Sequence, residues 1–327
     1  MNRTCSAVVA ALGALFATVI LATPATAEVA SYPSRPIKLL VGASAGGTTD
    51  TMARAIAQEM TVTLGVPVLV ENRPGAGGNL AADAVAKAPP DGYTLLVSFT
   101  SHTINATLYP KLPFDPVADF TPISMIATVP SMLVGNPKVA AADLRSLIAL
   151  AKARPEALTI AIGGIGSSLH LAGDQFKTMA GVKILNVPYK GTSPALTDLL
   201  GGQVDLMFIS LVTGASQVRA GKLRAYGVTT AQRQASFPDL PAIGEVVTGF
   251  ESIAWFGVFG PARLPAAVTG RLNGTIADAL KGAKLRERLQ NEGASPVGNS
   301  AAEFAAFVRA DIDRWAPIVR QSGATPD

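Results

Sequence analysis

The chain holds one cysteine, Cys5, and two histidines, His102 and His170, among its 327 residues. Cys5 falls within an N-terminal segment that reads as an export signal, so the mature protein is expected to carry no thiol. That excludes disulfides, thiol nucleophiles and cysteine-ligated metals. It also excludes a lipoprotein, whose cysteine would stand at the cleavage point. Two histidines are too few for a multi-histidine metal site, and no metal or cofactor is expected. After the N-terminus no run of 18 or more apolar residues follows, which excludes a polytopic membrane protein. Basic residues are scattered, with no Lys/Arg run interleaved with aromatics, and nucleic acid is not an expected partner.

Several catalytic and nucleotide motifs are missing as well. A P-loop needs a lysine after its last glycine, and none follows Gly47 or Gly166. Gly163-Gly164-Ile165-Gly166 has part of a dinucleotide fingerprint but lacks the third glycine and an evident ribose-binding acid. There is no Gly-x-Ser-x-Gly elbow.

What is present begins with the export signal over residues 1–27. Arg3 supplies the charge, Ala7 to Ala22 an apolar run, and Ala25-Thr26-Ala27 the small-x-small cleavage pattern. The 16-residue run is shorter than the roughly 20 residues that span a bilayer as a helix. Cleavage near Ala27 leaves 300 residues and lowers the formal net charge from +4 to +3. At about 150 residues per domain, that length favours two domains. A hydrophobic content of 49% excludes a disordered chain.

Short runs of branched apolar residues then alternate with segments of helical period, the pattern of α/β layering. Ile37 to Val41 reads as a buried strand, and Met52, Ile56, Met60 and Leu64 recur on one helix face. Further strands are expected at 66–71, 94–98, 159–162, 184–187, 204–209 and 223–229. Asp143 is expected to cap a helix. Residues 109–122 look irregular, and the apolar segment 123–134, interrupted by Pro130, reads as a strand passing between domains. Trp255, Phe256 and Phe259 are expected in the core. The last helix carries Phe304, Val308, Ile312, Trp315 and Val319.

Three turns share one property. Gly46 to Thr49, Gly166 to Ser168 and Gly191 to Ser193 each lie where a strand feeds a helix. A helix start leaves backbone N–H groups unpaired and carries partial positive charge. Glycine admits a ligand close to that backbone, and Ser and Thr add hydroxyl donors. In open α/β sheets such turns fall where ligands bind. The expected product is a cradle of neutral donors for an anion such as a carboxylate. Each turn also has a plain reading, as packing or as a helix cap. Gly75 to Gly78 reads as structural, Lys190 as an anion attractor or a solvated lysine, and His170 as a structural or ligand-orienting residue.

Longer stretches resemble one family. Tyr32 to Ile37, Val70-Glu71-Asn72-Arg73-Pro74-Gly75-Ala76-Gly77-Gly78-Asn79 and Pro90 to Leu96 are similar to the Bug-type solute receptors of tripartite tricarboxylate transporters. So are Ser168-Leu169-His170-Leu171-Ala172-Gly173, Val187-Pro188-Tyr189-Lys190-Gly191 and Ala195 to Gly202. They span nearly the whole mature chain. The resemblance implies a periplasmic, two-lobe binding protein of type II, closing like a Venus flytrap on a small organic carboxylate. It implies a ligand site at Ser44, Gly46, Gly47, Thr48 and Thr49 on one lobe. Gly166, Ser167 and Ser168, with Tyr189, Lys190 and Gly191, would face them from the other. Asp50 and His170 would support these turns.

Two departures stand out. The family's first turn begins Pro-Phe-Ala-Pro-Gly-Gly, whereas Gly42-Ala43-Ser44-Ala45-Gly46-Gly47 lacks both prolines and the aromatic ring. Ile209-Ser210 replaces a polar pair. Lobe 1 is expected over 28–128 plus 252–327 and lobe 2 over 129–251. The expected partners are the carboxylate and the membrane permease subunits, with the receptor a monomer and not an enzyme. The rival readings are a periplasmic serine hydrolase using Ser168 and His170, and a ligand-sensing partner of a membrane kinase.

Overall fold

The computed structural model describes residues 32–164, 166–189, 191–291 and 293–326. The expected export signal and Lys190 lie outside them. The first half of the chain runs β1 (Ile37–Val41), α1 (Thr48–Leu64), β2 (Val68–Asn72), α2 (Asn79–Ala86), β3 (Thr94–Phe99), α3 (Ser101–Leu108) and β4 (Phe120–Val129). The second half continues with β5 (Ser131–Gly135), α4 (Leu144–Ala153), β6 (Thr159–Ile162), α5 (Ser168–Ala180), β7 (Leu185–Pro188), α6 (Thr192–Gly201), β8 (Leu206–Ser210), α7 (Leu211–Arg219) and β9 (Arg224–Val228). The chain then returns through β10 (Ala254–Pro261), α8 (Ala266–Lys281), α9 (Ala283–Asn291), β11 (Ser295–Pro296) and α10 (Ala301–Ser322).

Two sheets result. The first has the order β11-β4-β10-β3-β1-β2 and the second β7-β6-β8-β5-β9. In each, a leading strand pairs in parallel with two neighbours: β1 with β2 and β3, and β6 with β7 and β8. An antiparallel strand is then inserted, β10 between β3 and β4 and β5 between β8 and β9. Parallel strands covered on both faces need near-continuous apolar sequence. Leu39, Leu40 and Val41 of β1 and Leu95, Leu96 and Val97 of β3 meet that need and are all buried.

Helix α1 forms because Met52, Ile56, Met60 and Leu64 recur every four residues and are buried together. Gly65 ends it in the left-handed region (φ 70°), returning its N–H to the Thr61 carbonyl. Asp143 caps α4 through Ser146, as its position before Leu144 and Leu147 predicts. Around the first sheet, Trp255, Phe259 and Phe304 pack with Leu40 and Leu96. The second sheet is covered by Phe176, Phe208 and Phe250 on one side and by Leu199, Met207 and Ile209 on the other. A smaller cluster joins the halves, with Ile104 and Leu108 of α3 meeting Leu171 of α5 and Trp315 and Val319 of α10.

The crossing segments are tied to each other. Ser131 N–H donates to Thr229 Oγ1 at 3.0 Å, and Thr229 N–H donates to the Ser131 carbonyl at 2.9 Å. Behind them, the buried Asp311 carboxylate accepts from Trp255 Nε1 at 2.8 Å, Thr103 Oγ1 at 2.6 Å and the Arg314 guanidinium. One acid thereby links α3, β10 and α10.

Two helices depart from the sequence expectation. Helix α3, Ser-His-Thr-Ile-Asn-Ala-Thr-Leu, has little apolar period, yet Ser101, His102, Thr103, Ile104, Asn105 and Leu108 are all buried. Packing on both sides, not propensity, holds it. Helix α7 starts at Leu211 with Ser210 as its cap, a role the paired substitution at Ile209-Ser210 had concealed.

Candidate functional site

The starts of α1 and α5 are built alike. Gly46 (φ 80°) and Gly166 (φ 71°) each sit in the left-handed region, two residues ahead of a helix. Each donates its N–H to the third helical residue. Gly46 bonds Asp50 Oδ2 at 2.9 Å, and Gly166 bonds His170 Nδ1 at 3.0 Å. Each acceptor is braced one turn further along. Arg54 Nε reaches Asp50 Oδ2 at 2.9 Å, and Asp174 Oδ2 lies 3.0 Å from His170 Nε2. These backbone hydrogens are therefore engaged within the chain, whereas the sequence suggests Gly46 and Gly166 as donors to a ligand. In the first turn of α5 the His170 N–H is also engaged, by Ser167 Oγ, which leaves the Ser168 and Leu169 amides, with those that begin α1, as donors.

The electrostatics follow from those contacts. Burial works to raise the Asp50 pKa, but hydrogen bonds from Arg54, Gly46 and Asn72 hold it below the ordinary carboxylate range. Asp174 behaves likewise: burial opposes ionisation, while bonds from His170 and Lys177 outweigh it. Accepting at Nδ1 places the His170 ring proton on Nε2, facing Asp174. Neither ring nitrogen bonds Ser168, so the nucleophile–base pair of a serine hydrolase is not assembled.

Neighbouring turns close on these starts. A Cβ at Gly42 would come 2.7 Å from Gly78 Cα, and one at Gly163 would come 3.1 Å from Thr192 Cα. The turns after β1 and β2 thus touch, as do those after β6 and β7. The remaining predicted residues fall as follows. Ser44, Ala45, Gly46, Gly47 and Thr48 are exposed, and Thr49 is buried. Gly47 is the N-cap of α1 and gives no side-chain cap, so Thr48 begins the helix instead of capping it. Ser167 caps α5, accepting from His170 N–H at 3.2 Å, and Ser168 is half-buried. Gly191 (φ 110°) is the uncapped start of α6, with Ser193 already inside that helix. Tyr189 spends its hydroxyl on Asp198 Oδ2 at 2.8 Å.

Between the halves lies a cavity of about 200 Å³. Ala76, Gly77, Ser101 and Asn105 line it from the first half, and Gly166 and Ser167 from the second. Leu108 and Tyr109 form an apolar wall, and Pro326 reaches its edge. No charged side chain lines it among the described residues. A wider groove of about 570 Å³ lies along Val218, Leu223, Phe237 and Leu240, but it joins none of the helix starts.

Ala76, Gly77, Ser101 and Asn105 escaped the sequence reading. Gly75 to Gly78 reads as a structural turn, yet Ala76 and Gly77 border the cavity. The signal for Ser101 was present, since Thr100-Ser101 follows β3 just as Gly47-Thr48 follows β1. For Asn105, inside a polar helix, there was none.

Residues 52–324 match the tripartite tricarboxylate transporter family receptor, TctC. The chain is 38% identical to Protein BugT of Bordetella pertussis, over 99% of both chains. Among solved structures, Rpa4515 of R. palustris with adipate is 37% identical and superposes with a TM-score of 0.79, covering 90% of this chain and all of that one. MatC of Rhodopseudomonas palustris, with bound malate, is 35% identical with a TM-score of 0.75, over 88% of this chain and 100% of that one.

Proposed function

Because the chain belongs to the receptor family of tripartite tricarboxylate transporters, we propose that it captures a small organic carboxylate between its lobes and hands it to membrane permease subunits. As a receptor of that family it is a binding protein and not an enzyme, with the two-lobe α/β fold of periplasmic receptors. The lobes are residues 28–128 with 252–327 and residues 129–251, and the mature receptor is a monomer released by cleavage near Ala27.

One observation carries the ligand class. A cavity with no charged side chain among its described lining residues is bordered by the start of α5, whose Ser168 and Leu169 amides and Ser167 hydroxyl are suited to a carboxylate. The similar starts of α1 and α6 bring Ser44, Gly47, Thr48, Thr49 and Gly191 to the same ligand as the lobes close, with Ser168, Tyr189 and Lys190 beside them. Gly46 and Gly166 shape the turns, and Asp50 and His170 hold them. The adipate and malate bound by the two relatives agree with this class.

A thermal-shift screen against carboxylates tests the proposal, since a ligand at a hundredfold excess over Kd adds about 2.7 kcal/mol of stability. Gly47→Val is expected to keep the fold, because a Cβ there meets only the Ser44 carbonyl at 3.5 Å. It should abolish the shift, and unchanged binding would remove α1 from the site.

A further inference from the structure

Among the described residues, the buried side-chain atoms without a hydrogen-bond partner are Asp83 Oδ1, Asp174 Oδ2, Gln175 Oε1 and Trp315 Nε1. The two acids each face an ionisable neighbour. Lys87 Nζ lies 2.7 Å from Asp83 Oδ1, and His170 Nε2 lies 3.0 Å from Asp174 Oδ2. Gln175 and Trp315 have no such neighbour, although they are only 7% and 0% exposed. Arg314 Cζ lies 4.4 Å from the Trp315 ring centroid, but it serves the ring face and leaves the N–H untouched. The indole nitrogen can only donate, and the amide oxygen can only accept. Buried groups of this kind are costly until they are paired.

The helices that carry them face each other. Helix α5 packs on β8 of the second sheet, α10 packs on β4 of the first, and the two helices touch. They run in opposite directions, since Ser167, just ahead of α5, and Pro326, just beyond α10, border the same cavity. Leu171 then meets Trp315 and Val319 in one cluster. Gln175 lies one turn past Leu171 and Trp315 one turn before Val319, each step about 6 Å along its helix. Donor and acceptor thus sit at one level of the contact between the halves, and the arrangement described leaves them unpaired.

We propose that Trp315 Nε1–H donates to Gln175 Oε1 when the receptor holds its carboxylate, and that this pair couples the cavity to the packing of α5 on α10. This rests on the carboxylate-receptor reading and deepens it. The coupling is mechanical. A carboxylate held by Ser167 and by the Ser168 and Leu169 amides draws the start of α5 toward α3, and α5 slides along α10 as it follows. Leaving both groups unpaired raises the free energy of one arrangement, and pairing them lowers that of the other. Removing the acceptor should therefore weaken carboxylate binding by about twofold to tenfold, without harming the fold of the acid-free protein.

Nuclear magnetic resonance of the receptor labelled with ¹⁵N-tryptophan tests this, against a carboxylate panel led by adipate and malate. The Trp255 indole, bonded to Asp311 at 2.8 Å, supplies a bonded reference. On saturation with an acid that binds, the Trp315 indole proton is expected to move downfield and to exchange more slowly with solvent. Gln175→Met keeps the side-chain length and removes the acceptor. It should abolish that movement, weaken the same acid by about twofold to tenfold in calorimetry, and leave urea unfolding of the acid-free protein unchanged or slightly later. A Trp315 proton that stays in place while an acid binds overturns the proposal, and so does undiminished affinity in Gln175→Met. A drop in the acid-free stability of that variant overturns it as well, because it marks Gln175 as a packing residue. No binding by any acid overturns the carboxylate reading, and this coupling with it.

Discussion

Alanine placed at Gly46 and at Gly166 would measure how firmly the two halves meet. Both glycines are left-handed, at φ 80° and 71°, and both donate N–H to a side chain four residues on. Holding an L-residue there costs roughly 1–2 kcal/mol, partly offset by about 0.4–1 kcal/mol from the lower entropy of the unfolded chain. The surroundings differ. A Cβ at Gly46 meets nothing within 4 Å, whereas at Gly166 it lies 2.5 Å from Leu108 Cδ2. Leu108 cannot step aside freely, being packed with Ile104, Leu171, Trp315 and Val319. Overpacking of that kind adds about 1–2 kcal/mol. Gly46→Ala should therefore lose about 1 kcal/mol and Gly166→Ala about 2–3 kcal/mol. Urea unfolding followed by the fluorescence of Trp255 and Trp315 would read both, since each is fully buried. Equal losses would refute the claim that the α5 turn is pressed against α3, as would a neutral Gly166→Ala.

Two further outcomes concern the first lobe. His102 is stacked on Phe259 with ring centroids 4.8 Å apart, and burial lowers its pKa from 6.5 to about 4. The unfolded chain takes up this proton first. Stability should thus be level above pH 6.5, fall by up to about 3 kcal/mol as the pH drops to about 4, and lose no more from this group below that. His102→Gln should flatten that limb in denaturant titrations across pH, and an unchanged slope would assign the effect elsewhere. Asp311→Ala should cost about 3 kcal/mol in the same assay, because it strands the Trp255, Thr103 and Arg314 donors.

The parts of the fold legible in the sequence are those where one local signal decides. Helix α1 shows its apolar spacing and its glycine stop, and α4 its Asp143 cap. Helix α3 is invisible because its polar residues are buried by neighbours distant in sequence: Thr103 by Asp311 and Asn105 by Gly77 and Asn79. The same limit applies to the site. Gly166 and Ser167 stand out as a turn, but whether an amide hydrogen is spare depends on which side chain folds back. His170 reaching Gly166 and Asp50 reaching Gly46 follow from backbone angles that composition does not display.

The insertion of β10 between β3 and β4 makes the early part of the molecule wait for the late part. Phe256 pairs with Phe99 and Ala254 with Val129, so the first sheet stays split until the whole intervening stretch has been made and brought back. Contacts that remote in sequence delay folding. A nascent or truncated chain ending before residue 254 would hold β3 and β4 as open edges, ready to pair with the wrong neighbour. The first half therefore cannot be cut out as an independent module, and the interleaving keeps its sheet open until the final part of the chain is available.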